Sequence, residues 1–426
     1  MTGARPPRIG LFGQFGIGNL GNEGSLEAMV RFLRECAPDA ELVSICTDPD
    51  FVARTYAIDA VRLQTEGPRS AAARMLNRAL LGMPSRLANI AHTFKQASEL
   101  DVLLVPGTGI LDDFGESPFG APYEIWRWCL AAKLNNVKIG FVSIGAGPIV
   151  HPLSRVLMKA AARAARYRSY RDLPSKAFIN SIAMHTPQDP VFPDLAFGLP
   201  TPPQTSRTDG PITVAVGVMA YYGWSGAPDE GEGVYQTYIA KLSAYVVWLL
   251  EQGHRVKFVI GKDKDVDAVA DVCARVLAQV PQLEHLIELF EPANDLHDVM
   301  RQMEAADIAV VTRFHNLVSA LHVGRACISL GYARKNHALL EEMGLGAFSQ
   351  EVESFDLETL KTHTNELIAT RTEHETRIRR KVADYEIQLK NQERLLAEEF
   401  LRGASSVGVA GPAGIEPQPL ARPVAH

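Results

Sequence analysis

The sequence contains no run of eighteen or more apolar residues, so no bilayer-spanning helix is expected. Its first residues, MTGARPPRIGLFG, hold one short apolar stretch and lack the longer hydrophobic region of a signal peptide. Cysteine is scarce: Cys36, Cys46, Cys129, Cys273 and Cys327 lie far apart, with no C-x-x-C pair. That spacing argues against a zinc site or a redox dithiol, and for buried thiols in a reducing compartment. There is no basic surplus either. The 43 Lys and Arg against 49 Asp and Glu leave a net charge of −6, which argues against a nucleic-acid partner. A local basic pocket for an anionic substrate remains compatible with that balance. The expected location is the cytoplasm.

What is present is a chain long enough for two cores. Its 426 residues suggest two domains of about 200 residues each. In the first half, short apolar runs predict strands at Arg8–Phe12, Glu41–Cys46, Asp101–Val105, Lys138–Ile144 and Tyr167–Arg171. Helical patterns separate them at Glu23–Cys36, Ala71–Leu100 (broken near Pro84), Tyr123–Asn135 and Pro152–Ala165. The stretch GLPTPPQTSRTDGP at 198–211 is rich in Pro, Thr and Gly without periodicity. It sets a first domain at 1–200, a linker at 201–211 and a second domain at 212–402. In the second domain the rhythm restarts. Strands are predicted at Ile212–Met219, Arg255–Ile260, Leu286–Leu289, Ile308–Thr312 and Cys327–Leu330. Helices are predicted at Tyr235–Gln252, Val266–Gln279, Asp295–Glu304 and Asn316–Val323. A charged helix near 373–401, with Ile378, Val382, Tyr385, Leu389 and Leu396 on one face, closes the fold. The Gly/Ala/Pro-rich tail at 403–426 is expected to be disordered. The fold class is therefore α/β. Two doubly wound Rossmann-like domains face a cleft under a long C-terminal helix, which is also the plan of GT-B enzymes.

Three glycine loops follow successive strands. The first, GQFGIGNLGNEG at 13–24, contains Gly16-x-Gly18-x-x-Gly21 and carries Asn19, Asn22 and Glu23. It fits a dinucleotide fingerprint only loosely, because the second strand ends at Cys46-Thr47 and Asp48 comes late. The second loop runs from Pro106 through Gly107, Thr108 and Gly109 to Asp112 and Asp113; the third is Gly145-Ala146-Gly147-Pro148. Glycines let backbone approach a ligand, and helix N-termini offer free N–H groups to anions or sugar oxygens. Tight turns without a ligand are the plainer alternative. Asp112 and Asp113 could bind sugar hydroxyls, act as a base, or simply cap the loop.

The second domain carries DIAVVTRFH at 307–315. A buried strand ends abruptly in Arg313 and His315, which in extended geometry would point the same way. An arginine fork, an imidazole and a helix N-terminus together suit a small, highly charged anion. The alternative is an arginine in a structural ion pair and a histidine capping the helix. After the next strand, LGYARKNH at 330–337 adds Tyr332, Arg334, Lys335 and His337.

In order and spacing, these motifs resemble the polysaccharide pyruvyl transferase family. Gly18-Asn19-Leu20-Gly21-Asn22-Glu23 is similar to its N-terminal Gly-Asn-x-Gly-Asp-Glu element, with Asn22 at the usual Asp position. Val105–Leu111 resembles its glycine-rich stretch, interrupted here by Pro106 and Thr108. Arg171-Asp172-x-x-Ser175, Pro193-Asp194-Leu195-Ala196-Phe197, Arg313-x-His315 and Tyr332-x-x-Lys335 resemble the elements that follow. The likeness runs from about residue 8 to 345.

The resemblance implies transfer of pyruvate from phosphoenolpyruvate to a sugar, glycan or lipid-linked sugar, usually as a cyclic ketal. Phosphoenolpyruvate is then the donor substrate, with no cofactor and no metal. Arg313 would hold its carboxylate or phosphate, and His315 would act as the acid or stabilise the departing phosphate. Arg171, Tyr332 and Lys335 would help bind the donor. Gly18, Asn19, Gly21, Asn22, Glu23, Gly107, Thr108 and Gly109 would line the acceptor side. Two other readings stay open: a GT-B glycosyltransferase using a nucleotide sugar, with Glu341 or Glu342 near the ribose, and a binding protein without catalysis. Arg69, Arg74, Arg78, Arg86 and Lys95, with Met75, Leu76, Leu80, Leu81 and Met83 among them, read as an ordinary surface helix or as one resting on an anionic membrane.

Overall fold

The computed structural model describes residues 5–67, 70–80, 82–114, 116–182, 188–204, 210–224, 228–289 and 291–401. The expected tail at 403–426, linker residues 205–209, and Arg69 and Leu81 lie outside the described residues.

Six parallel strands build the first sheet: β1 (Arg8–Phe12), β2 (Glu41–Cys46), β3 (Asp59–Arg62), β4 (Val102–Pro106), β5 (Lys138–Ile144) and β6 (Tyr167–Tyr170). Their order is β3-β2-β1-β4-β5-β6. The second sheet holds β7 (Thr213–Gly217), β8 (Arg255–Val259), β9 (Ile287–Glu288), β10 (Ile308–Val311), β11 (Ala326–Gly331) and β12 (Ser349–Glu351). Its order, β12-β11-β10-β7-β8-β9, is the same winding read from the other edge. The central strands are apolar on both faces because helices cover both; every residue of β4 and of β10 is buried. Only the edge strands β3 and β12 escape the sequence patterning. They are short and partly exposed, so they carry no apolar run to detect.

In each sheet the winding reverses between two central strands, β1 and β4 in one and β7 and β10 in the other. In sheets of this kind the loops leaving the carboxyl ends at that point part and leave a crevice. The three glycine loops leave the adjacent strands β1, β4 and β5, so they share that edge.

The helices of the first half are α1 (Leu20–Cys36), α2 (Pro49–Tyr56), α3 (Ala71–Ala79), α4 (Met83–Ser98), α5 (Ala121–Leu134), α6 (Pro152–Ala164) and α7 (Leu173–Ser181). Those of the second are α8 (Pro228–Glu251), α9 (Asp265–Gln279), α10 (Leu296–Glu304), α11 (Phe314–His322), α12 (Arg334–Glu342) and α13 (Leu357–Leu396). Short α2 and α7 are started by caps rather than by periodicity. The Asp48 carboxylate accepts from the Asp50 and Phe51 amides, and that of Asp172 from the Ser175 amide. No helix among the described residues is long and apolar enough to cross a membrane.

The closing helix is longer than its apolar face suggests. It starts at Leu357, where Asp356 caps the Thr359 amide, rather than near Glu373. It then runs back across the first domain. Gln392 Nε2 donates to Ser143 Oγ at 2.9 Å and to Ser169 Oγ at 2.8 Å. Ser143 sits at a bulge between β5 and β6 with φ of 48°, and this side chain from the far end of the chain pins the irregularity. Within the terminal π turn Ala397–Leu401, Phe400 packs where a Cβ on Gly140 would meet its ring at 2.7 Å. Phe400→Ala removes that anchor and is expected to cost about 3 kcal/mol. The urea midpoint should fall at unchanged slope.

Candidate functional site

The carboxyl edges of the two sheets face each other, and the chain brings polar groups to that junction from both sides. From the first domain come Arg171, just after β6, and Asp194, which starts the short turn Leu195–Gly198. Arg171 Nη1 donates to Asp194 Oδ2 at 3.0 Å, and both side chains are almost completely buried. From the second domain comes His315, whose Nε2 lies 3.7 Å from the same Asp194 oxygen. That is ion-pair reach but too long for a hydrogen bond, and Nε2 has no hydrogen-bond partner among the described residues. The Arg171 guanidinium stacks over the Phe314 ring at 4.4 Å, and Lys335 Nζ stands 5.6 Å from the same ring and 5.1 Å from that of Tyr332. Among the described residues Lys335 makes no hydrogen bond or ion pair.

The electrostatics follow from this crowding. Burial would raise Asp194, but His315, Arg171 and the Ala196 amide outweigh it and hold the carboxyl down to about 2. Burial pushes His315 below its ordinary value. Asp194 opposes that shift, while Arg171 and Lys335 add to it. Asp112 lies on the facing loop. A Cβ built on Gly109 would meet its Oδ2 at 3.0 Å and Arg171 Nη2 at 3.7 Å. Burial raises Asp112, against the pull of Lys335, the Phe114 amide and Arg171.

Arg313 and His315 are not parallel neighbours in extended chain. Helix α11 begins at Phe314, with Arg313 as its N-cap residue, so the two side chains diverge. The Arg313 fork is taken: Nε and Nη2 donate to the two oxygens of Asp265 at 2.8 and 2.6 Å. Asp265 is fully buried and also accepts from the Ala220 amide at 3.0 Å. Nη1 is left as the guanidinium nitrogen without a partner among the described residues. His315 stands in the first turn of α11, against Gly21 of α1. A Cβ on Gly21 would lie 1.9 Å from His315 Nδ1, so only glycine lets these two elements meet.

The other expected residues divide into two groups. Gly18 lies against Asp263 of the second domain, and Asn19 forms an isolated backbone bridge with Lys262. Gly109, Tyr332 and Lys335 are likewise at the junction. Asn22, Glu23 and Gly107 instead turn inward. Asn22 Nδ2 donates to the Gln14 carbonyl at 3.2 Å, a bond that an ionised aspartate could not make. Glu23 accepts from the Gly16 amide at 2.6 Å. Gly107 adopts φ of 49°, and its carbonyl accepts from Ser25 Oγ at 3.1 Å. Thr108 is buried, with an Oγ1 that has no hydrogen-bond partner among the described residues. Of the adjacent acids, Asp113 clamps the next loop by accepting from the Val150 and His151 amides, whereas Asp112 faces the junction. Glu341 pairs with His337 Nε2 at 3.1 Å and Glu342 accepts from Tyr385, so neither carboxylate is unengaged.

Sequence reasoning passed over Asp194, Asp265 and Lys262. Asp194 was visible within its Pro-Asp-Leu-Ala-Phe stretch. Lys262 follows a glycine at the end of β8, the kind of strand-end signal used for the other loops. Burial, with Arg313 and Lys264 nearby, pushes Lys262 down.

Two doubly wound sheets of identical winding, meeting across a polar junction, define a GT-B-type architecture. The chain resembles a putative UDP-N-acetylglucosamine 2-epimerase from Listeria monocytogenes with a TM-score of 0.62 at 10% identity, over 94% of this chain and 98% of that one. The UDP-GlcNAc 2-epimerase of Neisseria meningitidis gives 0.60 at 11%, over 93% and 100%. A glycosyltransferase from Rickettsia africae gives 0.56 at 12%, over 94% and 100%. At these identities the likeness concerns the fold. No curated protein matches the chain. The family is shown by sequence: the polysaccharide pyruvyl transferase model matches residues 19–334, and the chain belongs to that family of transferases.

Two outcomes test the site's construction. Burial raises Glu23 from an ordinary 4.5 to about 7, against the Gly16 and Ile17 amides and Tyr56. Between those values the folded protein holds a proton that the unfolded chain has released, so stability falls as pH rises through that window. Glu23→Gln keeps the acceptor for Gly16 and removes the titration. Its melting temperature should match wild type near pH 5 and exceed it at pH 8. Gly21→Ala forces a Cβ into the His315 ring and should cost about 1–3 kcal/mol in denaturant unfolding.

Proposed function

We propose that the protein transfers pyruvate from phosphoenolpyruvate to a sugar or glycan, forming a pyruvyl ketal and releasing phosphate. The observation that carries this reading is the convergence of Arg171, His315 and Lys335 on Asp194 and Phe314 at the junction. Phosphoenolpyruvate joins a carboxylate and a phosphate on three carbons, and this cluster brings basic groups together within a few residues of the junction. Lys335, unpaired and lying across two aromatic rings, meets one anionic group. Arg313 Nη1 and Lys262 stand on the same domain for the other.

Burial, with Arg171 and Lys335 adding to it, lowers the proton affinity of His315 against the pull of Asp194. An anion beside it reverses that balance and raises its proton affinity, so protonation is coupled to donor binding. The acceptor hydroxyl oxygen bonds to the central carbon of phosphoenolpyruvate, and Asp112 takes its proton. The methylene carbon takes a proton from His315 and becomes a methyl group. Phosphate leaves with its bonding pair, and a second hydroxyl closes the ketal. The two hydroxyl protons balance the one gained by carbon and the one carried away by phosphate. Asp194 keeps the His315 ring oriented and stabilises its charged form.

The engagement of Glu341 and Glu342 by His337 and Tyr385 counts against the nucleotide-sugar reading, because neither is poised for a ribose. The test is inorganic-phosphate release from phosphoenolpyruvate across a panel of sugars. Lys335→Gln should raise the KM for phosphoenolpyruvate about tenfold or more, the usual scale of losing a charge-assisted contact. His315→Ala should abolish release while leaving circular dichroism unchanged. Wild-type turnover in His315→Ala, or thermal stabilisation by nucleotide sugars and none by phosphoenolpyruvate, would sink the proposal.

A further inference from the structure

Fifteen large apolar side chains are exposed among the described residues, and eleven of them lie on α3, α4, α5, α6 and the segments flanking them. Met75, Leu76, Met83 and Leu87 are 74%, 58%, 49% and 59% exposed, and Phe119 is 65% exposed. No residue of α3 is buried. Neighbouring α4, α5 and α6 pack side by side on one face of the first sheet.

The charge of this layer departs from that of the whole chain. No Asp or Glu occurs between Glu66 and Glu99, or between Glu124 and Asp172, in a protein with 49 acidic residues. The two acid-free stretches carry Arg74, Arg78, Arg86, Arg155, Lys159 and Arg163 on their helices. The layer is therefore basic and apolar at once, within a chain of net charge −6.

Its position is also fixed. Helix α4 descends into the amino end of β4, so its first turn, about 24 Å away, stands at the carboxyl edge where the cleft opens. There Arg86 lies 5.9 Å over the Phe119 ring. Phe119 belongs to the loop that carries Gly107, Thr108, Gly109 and Asp112, and Glu116 of that loop accepts from Gln14 of the first glycine loop at 3.4 Å.

We infer that this face docks on a bilayer bearing anionic headgroups, with the apolar side chains entering the interface and the arginines meeting lipid phosphates. A second copy of the chain would set one acid-free face against another, which like charges oppose. The docked orientation places the cleft mouth at the lipid surface. A lipid-linked acceptor would then reach the glycine loops directly, a consequence that rests on the pyruvyl-transfer reading.

Docking itself can be measured without substrate. The full chain is sedimented with vesicles of phosphatidylglycerol and phosphatidylcholine, and with vesicles of phosphatidylcholine alone. Binding to the anionic vesicles should be at least about tenfold stronger and should weaken with salt. Arg78→Glu with Arg86→Glu, and separately Leu76→Ser with Met83→Ser and Leu87→Ser, should each cut it about tenfold or more. Being exposed, both sets should keep the wild-type melting temperature and the wild-type phosphate release with a water-soluble sugar. Equal binding to both vesicle types, or unchanged binding by the variants, overturns the inference. So does a serine variant that binds vesicles normally but sediments as a smaller species, which would make the face a contact between copies. Failure here leaves the assignment of the reaction untouched, because no donor is present in the assay.

Discussion

The cleft depends on one buried carboxylate. Asp194 is nearly inaccessible, yet it stays ionised because a guanidinium from its own domain and an imidazole from the other approach one of its oxygens. A charge in that position is costly to bury unless it is compensated, and the compensation here comes from both halves of the molecule. The junction therefore assembles properly only when the two domains are in register. Phe314 reinforces that dependence, because its ring supports Arg171 of the first domain and Lys335 of the second.

Around that anchor, charge is divided between structural and available groups. Arg313 is the most conspicuous cation in the sequence, but its fork is bound to Asp265, which also holds the Ala220 amide. The pair fixes the geometry of the strand ends. The inconspicuous Lys335, in the first turn of α12, keeps an ammonium without an ion-pair partner among the described residues. The first glycine loop shows the same division, with Gly21 yielding space to His315 while Asn22 and Glu23 hold the loop's own shape.

Much of the fold was legible because buried parallel strands are apolar on both faces. The bounds of β1, β2 and β5 coincide with their apolar runs. Edge strands β3 and β12 were missed, since a half-exposed strand of three or four residues leaves no such run. Helix α13 was read too short because its first turns are rich in Thr, Glu and His and hide the apolar stripe. For the site, the sequence located the strand ends that meet. It did not reveal the pairings, because Asp265 reaches Arg313 across 48 positions and Asp194 reaches His315 from the other domain. The expectation that Arg313 and His315 point together failed for a local reason: the helix begins at Phe314, two residues before the expected Asn316.

The chain crosses between the two sheets twice, after the turn Leu195–Gly198 and again along α13, whose far end is pinned by Gln392. A helix that leaves the second domain and ends seated on the first acts as a strap, so displacing one sheet against the other would have to bend or unseat it. The spacing of His315 and Asp194 across the junction is thereby tied to a contact near the far end of the chain.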